Sequence, residues 1–319
     1  MIRFVVRRLL LAAVVTWLIS VVVFTLFYLA PPDPARTIAG RLATPETVAA
    51  VRHRLGLDRP VPAQYAHFVV GLAHGDLGYS FYNSESVRSL IAARLPVTVS
   101  LTVGGAVIWL ILGVGIGVLA ARRPRTLVDR GATLFVLTGL SMPTFLVGLL
   151  LLYVLFFRLH LAGVDAFPGG GYTPLTHNPA DWVRHLVLPW LTLAVVSAAT
   201  YTRLTRTSLL EVLGADYVRT ARSKGITERR VVYRHALRSA LIPLVTQLGI
   251  DVGTLLGGAI VTENVFGLPG LGQLAVQSIT TQDLPVIVGI VLLAATFIVT
   301  ANIVVDLLYA VLDPRVRVS

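Results

Sequence analysis

The sequence predicts an all-helical protein that crosses a membrane several times, and three observations predict it. Hydrophobic residues fill 55% of the positions and charged residues 13%, about half the charged share of a soluble domain. The apolar residues gather into runs of about 20, the length a helix needs to cross a hydrocarbon core. The basic residues fall mostly in alternate gaps between those runs, as the positive-inside rule requires.

Six runs qualify, at 9–30, 97–121, 132–157, 186–202, 239–262 and 284–311. The first follows Arg3, Arg7 and Arg8. It is longer than the apolar stretch of a cleaved signal peptide, and Pro31 and Pro32 stand where cleavage would occur, so it reads as an uncleaved anchor. Between the first and second runs, Thr44, Pro45 and Glu46 mark the start of a short helix as N-cap, first helical residue and first-turn acid. A second short helix over 62–73 puts Tyr65, Phe68, Val69 and Leu72 on one face. The stretch "GDLGYSFYNSESVRSLIAARLP" leads back into the membrane through an amphipathic turn.

In the third run Ser141 and Pro143 soften a spanning helix whose freed carbonyl is re-satisfied locally. The fourth run is the weakest, with Pro189 near its start and Ser197, Thr200 and Thr202 at its end. Three glycines at 169–171 suggest a phosphate cradle only superficially. No strand precedes them and no GK[ST] follows, so an irregular surface loop is the better reading.

Of the 27 lysines and arginines, eighteen lie in segments 1–8, 122–130, 203–238 and 312–319. The other nine lie in 31–96 and 158–185, and seven of those sit in a loop too long to weigh in the rule. The expected topology has both termini in the cytoplasm.

Several chemistries lack their residues. With no cysteine there is no thiolate nucleophile, disulfide or thiolate metal site. HExxH and GxSxG are absent, and no membrane helix pairs two acids at a metal-binding spacing, so neither catalytic nor metal-ligating residues are assigned. Every histidine lies outside the six runs or in the basic segment, leaving Ser141 without a base. Asp251, Asp306 and Glu263 are the acids inside or beside spans. Intramembrane ionisable groups carry a functional expectation. Asp251 and Glu263 are candidates for the solute path or a gate, whereas Asp306, one turn after Asn302, fits an interhelical hydrogen bond at least as well.

The most informative segment is "ADYVRTARSKGITERRVVYRHALRSALIPL", residues 215–244, with seven basic residues against two acids. It predicts a helix from Asp216 to Lys224 and a left-handed Gly225 ending it. A second helix is expected behind Thr227 as N-cap, with Glu228 favourable at its positive end. A nucleic-acid site needs a broad basic face with stacking groups, and a loop of about 35 residues tethered to the bilayer at both ends has little reach. Binding to lipid headgroups explains the arginines but not the small residues at the bend. Docking to a partner protein explains both.

This segment resembles the cytoplasmic loop of ABC importer permeases, in the dipeptide/oligopeptide/nickel permease family and its oligopeptide-permease B-type branch. That loop reads E-A-A, three residues, Gly, nine residues, I-x-L-P. Aligned on Gly225, the first triplet falls on Arg219, Thr220 and Ala221 and the last four positions on His235, Ala236, Leu237 and Arg238. Glu is replaced by Arg219 and Pro by Arg238, departures similar to the peptide-permease branch. "RRLL", "GDLGYS", "RLPVTVSL", "VFGLPGLG" and "DPRVR" follow that family's order along nearly the whole chain.

The resemblance implies a type I ABC importer permease fold in a bacterial inner membrane. Its implied partners are a homologous second permease, two ATPase subunits carrying ATP and Mg, and an extracytoplasmic solute-binding protein; the chain holds no cofactor of its own. Expected organisation is an anchor and external region (1–93), a transport core (94–311) with coupling loop 203–238, and a cytoplasmic tail (312–319). Coupling to the ATPase is expected at Arg219, Thr220, Ala221, Arg222, Gly225, His235, Leu237 and Arg238. Peptides are the expected cargo. The alternatives are nickel or another small solute, or a transporter or channel that works without ATP and depends on Asp251 or Asp306. In each case the chain is a transporter and not an enzyme.

Overall fold

A computed structural model describes residues 2–26, 34–39, 43–54, 56–80 and 82–312. Side chains at 2–5, 9, 34, 37, 38, 54, 252–254, 256–258 and 306–312 are outside the description. The "PPDP" turn, Asp306 as a side chain, and the "DPRVR" tail therefore lie outside the described residues. The chain forms two compact units, residues 1–96 with 270–303 and residues 97–269 with 304–319.

All the elements are helical except one hairpin of two-residue strands. Five helices among the described residues are long and apolar enough to cross a membrane: Val6–Phe24, Val87–Arg122, Thr144–Leu161, Pro179–Leu213 and Leu284–Val305. A further helix, Ile242–Phe266, covers the run expected at 239–262.

In the first unit, α1 (Ile2–Phe24) is followed by α2 (Pro34–Ala39), α3 (Pro45–Arg54) and α4 (Val61–Ala73). Thr44 caps α3 as expected, accepting a hydrogen bond from the Thr47 amide at 3.3 Å. Helix α4 packs on α1 through aromatic residues. Phe24 meets the Tyr65 ring edge-on at 5.3 Å and lies 5.7 Å from the Phe68 ring. The hydroxyls of Ser20 and Tyr65 are 2.8 Å apart. Val69, expected on the same face, is 37% exposed, because the packed stripe runs through positions 65, 68 and 72.

The amphipathic turn expected after residue 75 is a hairpin, β1 (Tyr79–Ser80) with β2 (Glu85–Ser86). A polar knot holds it, in which buried Ser80 donates to Asp283 at 2.5 Å and receives the Asn83 amide at 3.0 Å. Long-range knots of this kind leave no periodic trace in sequence.

Helix α5 (Val87–Arg122) begins in this unit and continues into the second. Its 36 residues make it about 54 Å long, well beyond a hydrocarbon core of about 30 Å, so its ends extend past the apolar layer. The second unit continues with α6 (Leu127–Ser141), α7 (Thr144–Leu161) and α8 (Pro179–Leu213). The expected third span over 132–157 is not one helix. Met142 is extended (φ −94°, ψ 125°) between α6 and α7, because Pro143 lacks an N–H and disfavours helical backbone in the residue before it. The Ser141 hydroxyl bonds the Leu137 carbonyl at 2.8 Å, satisfying the turn that the proline ends.

The fourth run, weakest in sequence, becomes the hub of the second unit. Helix α8 is 35 residues long, and half of its most apolar window is buried inside the chain. Of the polar residues at the end of that run, Thr202 is fully buried, as is Thr205 beyond it, and Ser197 and Thr200 are half-buried. Glycines let the neighbours approach. A Cβ on Gly104 would fall 2.1 Å from the Trp190 indole, which donates to the Ser100 carbonyl at 2.9 Å. A Cβ on Gly117 would fall 2.6 Å from the Thr205 Cβ and 2.8 Å from the Thr202 carbonyl, and one on Gly139 2.7 Å from Ala199. Close backbone approach through small residues is how helices associate where lipid removes the hydrophobic drive.

The glycine run at 169–171 also has a packing task. The Gly171 amide donates to the Phe266 carbonyl at 3.1 Å, and a Cβ on Gly170 would lie 2.5 Å from that oxygen.

Gly117→Ala is expected to destabilise the chain by about 1–3 kcal/mol through overpacking against backbone. Gly115→Ala, where a Cβ meets nothing within 4 Å, should leave stability unchanged or raise it by up to about 1 kcal/mol. Thermal unfolding of the two variants in detergent separates them.

Candidate docking elbow

The basic segment folds as a helix, a tight bend and a second helix. Helix α9 (Asp216–Ser223) is followed by Gly225 at φ +74°, and α10 occupies 228–240. A Cβ on Gly225 would meet nothing within 4 Å, so the glycine is required by backbone conformation and not by space. The Gly225 amide closes the turn onto the Arg222 carbonyl at 2.9 Å, the C-terminal arrangement the sequence predicted.

The second helix starts where expected but by other means. Thr227 takes the extended backbone of an N-cap (φ −60°, ψ 141°), yet its hydroxyl makes no capping bond. Glu228 does more than oppose the helix dipole. Arg222 donates to both of its carboxylate oxygens, at 3.0 and 2.8 Å, and also to the Leu213 carbonyl at 3.3 Å. Hydrogen bonds from Arg222 hold the Glu228 carboxyl below its ordinary pKa, with smaller help from the nearby Arg122 charge. One guanidinium thus ties the end of α8, α9 and the start of α10 together. An exposed ion pair alone is worth little, but a bidentate arginine also fixes geometry.

Beneath the bend lies an apolar cluster. Val218 and Ala221 of α9 and Val231, Val232, Ala236 and Ala240 of α10 pack with Val118 and Ala121 of α5 and Leu209 of α8. Val218, Val231 and Ala236 are completely shielded. Tyr217 donates to the Ser239 hydroxyl across the two elbow helices at 3.2 Å. The elbow is therefore seated on the ends of two long membrane helices.

A second clamp stands beside it. Arg206 of α8 donates to both Asp129 oxygens at 2.5 and 2.9 Å, and Asp129 also accepts the Arg125 amide at 2.9 Å. Those bonds, the arginine's first, lower the Asp129 pKa to about 2. They also hold Arg125 at φ +64°, a conformation that L residues seldom adopt.

The expected coupling residues separate into two groups. Arg219, Thr220, Arg222, Gly225 and Arg238 are exposed, and His235 and Leu237 are half-buried. Ala221 is 8% exposed and packs into the chain's own cluster, so its small size serves the fit of α9 onto α10 and α5. Arg219 makes a loose 3.6 Å contact with Asp216, and the Thr220 hydroxyl returns to the Asp216 carbonyl at 3.0 Å.

The three acids expected in or beside spans lie apart from the elbow in sequence. In α11 (Ile242–Phe266), Asp251 is half-buried and accepts from Gln247 at 2.7 Å. Glu263 is inside the same helix, fully buried, and accepts from the Thr98 hydroxyl at 2.6 Å. The helix ends three residues later at Phe266 and is capped by Gly267 at φ +59°. Asp306 is outside the described side chains. Among the described residues no three His, Asp or Glu cluster as metal ligands would.

Sequence reasoning missed Glu228 as the partner of Arg222 and Asp129 as the partner of Arg206. Asp129 left one signal, as the lone acid within the basic segment 122–130.

Two family descriptions match the chain. Binding-protein-dependent transport system inner membrane component matches residues 113–318, and the N-terminal component of the same systems matches residues 1–102. The chain is 42% identical over 311 residues to a putative peptide transport system permease protein of Brucella abortus, covering 98% of each. It is 39% identical over 314 residues to a probable peptide ABC transporter permease protein of Sinorhizobium fredii, covering 98% of this chain and 99% of that one. It is 39% identical over 336 residues to the dipeptide transport system permease protein DppB of Escherichia coli, covering 99% of each.

Asp129→Asn should cost about 2–3 kcal/mol, less than the ~3–5 kcal/mol of a fully buried pair because Arg206 is 32% exposed. A depressed carboxyl pKa means the clamp stabilises above the ordinary carboxylate range and fades as pH falls toward about 2. Hydrogen-exchange protection at 123–130 should therefore hold from pH 7 to about 4 in the native chain, and be lower throughout in the variant.

Proposed function

The chain belongs to the binding-protein-dependent transport system inner membrane components, and from that membership we propose how it works in an ATP-driven peptide importer. It is a multi-pass permease subunit, and transport rather than catalysis is its task. We take its cargo to be di- or oligopeptides, because relatives that match it end to end carry peptide or dipeptide transport in their names. The reading gives it six spans, the sixth being α11, with both termini in the cytoplasm. Residues 1–93 form the anchor and external region, 94–311 the core and 312–319 the tail. A homologous permease completes the path, two ATPase subunits drive it, and an extracytoplasmic binding protein supplies the cargo.

The observation that carries the reading is the seating of the elbow. Its exposed rim, Arg219, Thr220, Arg222, Gly225 and Arg238 with half-buried His235 and Leu237, is open to an ATPase surface. Its inner face, including Ala221, is sealed to the ends of α5 and α8. A push on the rim is delivered to the two helices that build the core of the second unit. A transporter or channel that needs no ATP would have no use for such an elbow. In this scheme Asp251 and Glu263 act in gating rather than in chemistry. Glu263 sits on α11 bonded to Thr98 of α5, a neighbour that a helix movement would displace, and Asp251 is bonded to Gln247 one turn away on the same helix. Asp306 is assigned to the same group.

The test is reconstitution of the complete importer with its binding protein, measuring ATPase stimulation by dipeptides, oligopeptides and nickel chelates. Stimulation by peptides alone supports the reading; response only to nickel overturns the cargo. Gly225→Val places a β-branched residue in left-handed backbone, a strain of roughly 1–2 kcal/mol. It should abolish stimulation while leaving membrane insertion intact, and normal coupling in that variant overturns the elbow's role.

A further inference from the structure

Three arginines of the elbow have no part in the docking rim or the clamps. Arg229, Arg230 and Arg234 stand on the outward side of α10, all exposed. Arg206 and Arg222 are held by Asp129 and Glu228, whereas these three make no ion pair among the described residues. Together with Thr227 and Tyr233 they line an open hollow of about 400 Å³. The Thr227 hydroxyl, free of any capping bond, adds an uncharged donor to three guanidinium forks. Forked guanidinium groups with a hydroxyl are the donor set that recognises phosphoryl oxygens.

The depth of the hollow is fixed independently of its charge. Arg122, the last residue of the spanning helix α5, stacks on the Tyr233 ring at 5.8 Å. Val231 and Val232, on the opposite side of α10, pack against Val118 and Ala121 of α5. Arg122 directly follows the apolar run that ends at residue 121, so the hollow is held beside the end of a spanning run, where headgroups lie. A tyrosine flanked by arginines is the composition such a layer favours.

We propose that Thr227, Arg229, Arg230, Tyr233 and Arg234 form a binding site for the phosphoryl headgroup of an anionic phospholipid. The bound lipid fastens the outward side of α10 to the bilayer while the rim around Gly225 stays open. The proposal rests on α5 crossing the membrane and not on the identity of the cargo. Three arginines at an anionic surface, each contributing about a fivefold factor, give a preference on the order of 100-fold over a zwitterionic lipid.

The experiment uses the full chain in its importer complex, reconstituted with phosphatidylcholine alone or with added phosphatidylglycerol, and counts retained lipid by native mass spectrometry. The native complex should retain phosphatidylglycerol that the triple variant R229Q/R230Q/R234Q loses, with peptide-stimulated ATPase in phosphatidylcholine unchanged between them. Equal retention by both proteins overturns the proposal. Displacement of the lipid by equimolar inorganic phosphate also overturns it, since the site would then serve a free anion. Loss of the ATPase subunits from the variant with lipid retention intact overturns it in favour of a protein-docking face. If the triple variant fails to assemble, a photoactivatable phosphatidylglycerol is crosslinked to the unmodified complex. Adducts at 227–234 support the site, and adducts confined elsewhere overturn it.

Discussion

The elbow stands on nine small apolar side chains contributed by four helices. Val118 and Ala121 end one long membrane helix, Leu209 lies near the end of another, and the remaining six come from the two short helices of the bend. Such side chains cannot reach far, so the backbones must come close, and the alanines at 221, 236 and 240 permit it. A lone helix as short as α9 is unstable in water. Its persistence depends on burying Val218 and Ala221 in this cluster. The Arg222 fork and the turn at Gly225 set the angle at which the helices meet, but the cluster makes the elbow part of the membrane core instead of a loose connection.

The same economy governs the second unit above it. A bilayer interior supplies no water, so backbone polar groups there must be satisfied within the protein, and several side chains are paired as well. Thr98 serves Glu263, Gln247 serves Asp251, and the Trp190 indole serves a carbonyl of α5. Glycines at 104, 113, 117 and 139 bring α5 and α6 close to α8. Helices packed this closely resist sliding past one another, because interdigitated surfaces do not deform continuously.

Much of this was legible in the residues. Length and apolarity marked the membrane helices, and the order of residues at 216–228 foretold a helix, a left-handed glycine and a second helix. Four features escaped. The break at Met142 was hidden because apolar composition continues through Pro143, and composition outweighed the local backbone restriction. Helix α8 looked weak because Pro189, Ser197, Thr200 and Thr202 interrupt its apolar run, although Thr202 and the following turn pack against Gly117 of α5; that pairing is a property of two segments far apart in sequence. The packing of Ala221 into the chain's own cluster was not legible, since sequence shows that a residue is small and not which surface approaches it. Glu228 and Asp129 were invisible as ion-pair partners for the same reason.

The central claim is that the elbow and the ends of α5 and α8 move as one body. The chain contains no cysteine, so Lys224→Cys and Thr207→Cys provide a clean pair for spin labels, one at the bend and one on the exposed side of α8. Their separation is measured by double electron–electron resonance in the complete importer, without nucleotide and with ATP trapped. The account predicts the same distance distribution in both states. A shift on the order of one helical turn, about 5 Å, would contradict it by showing that the elbow swings independently of the helices on which it is seated.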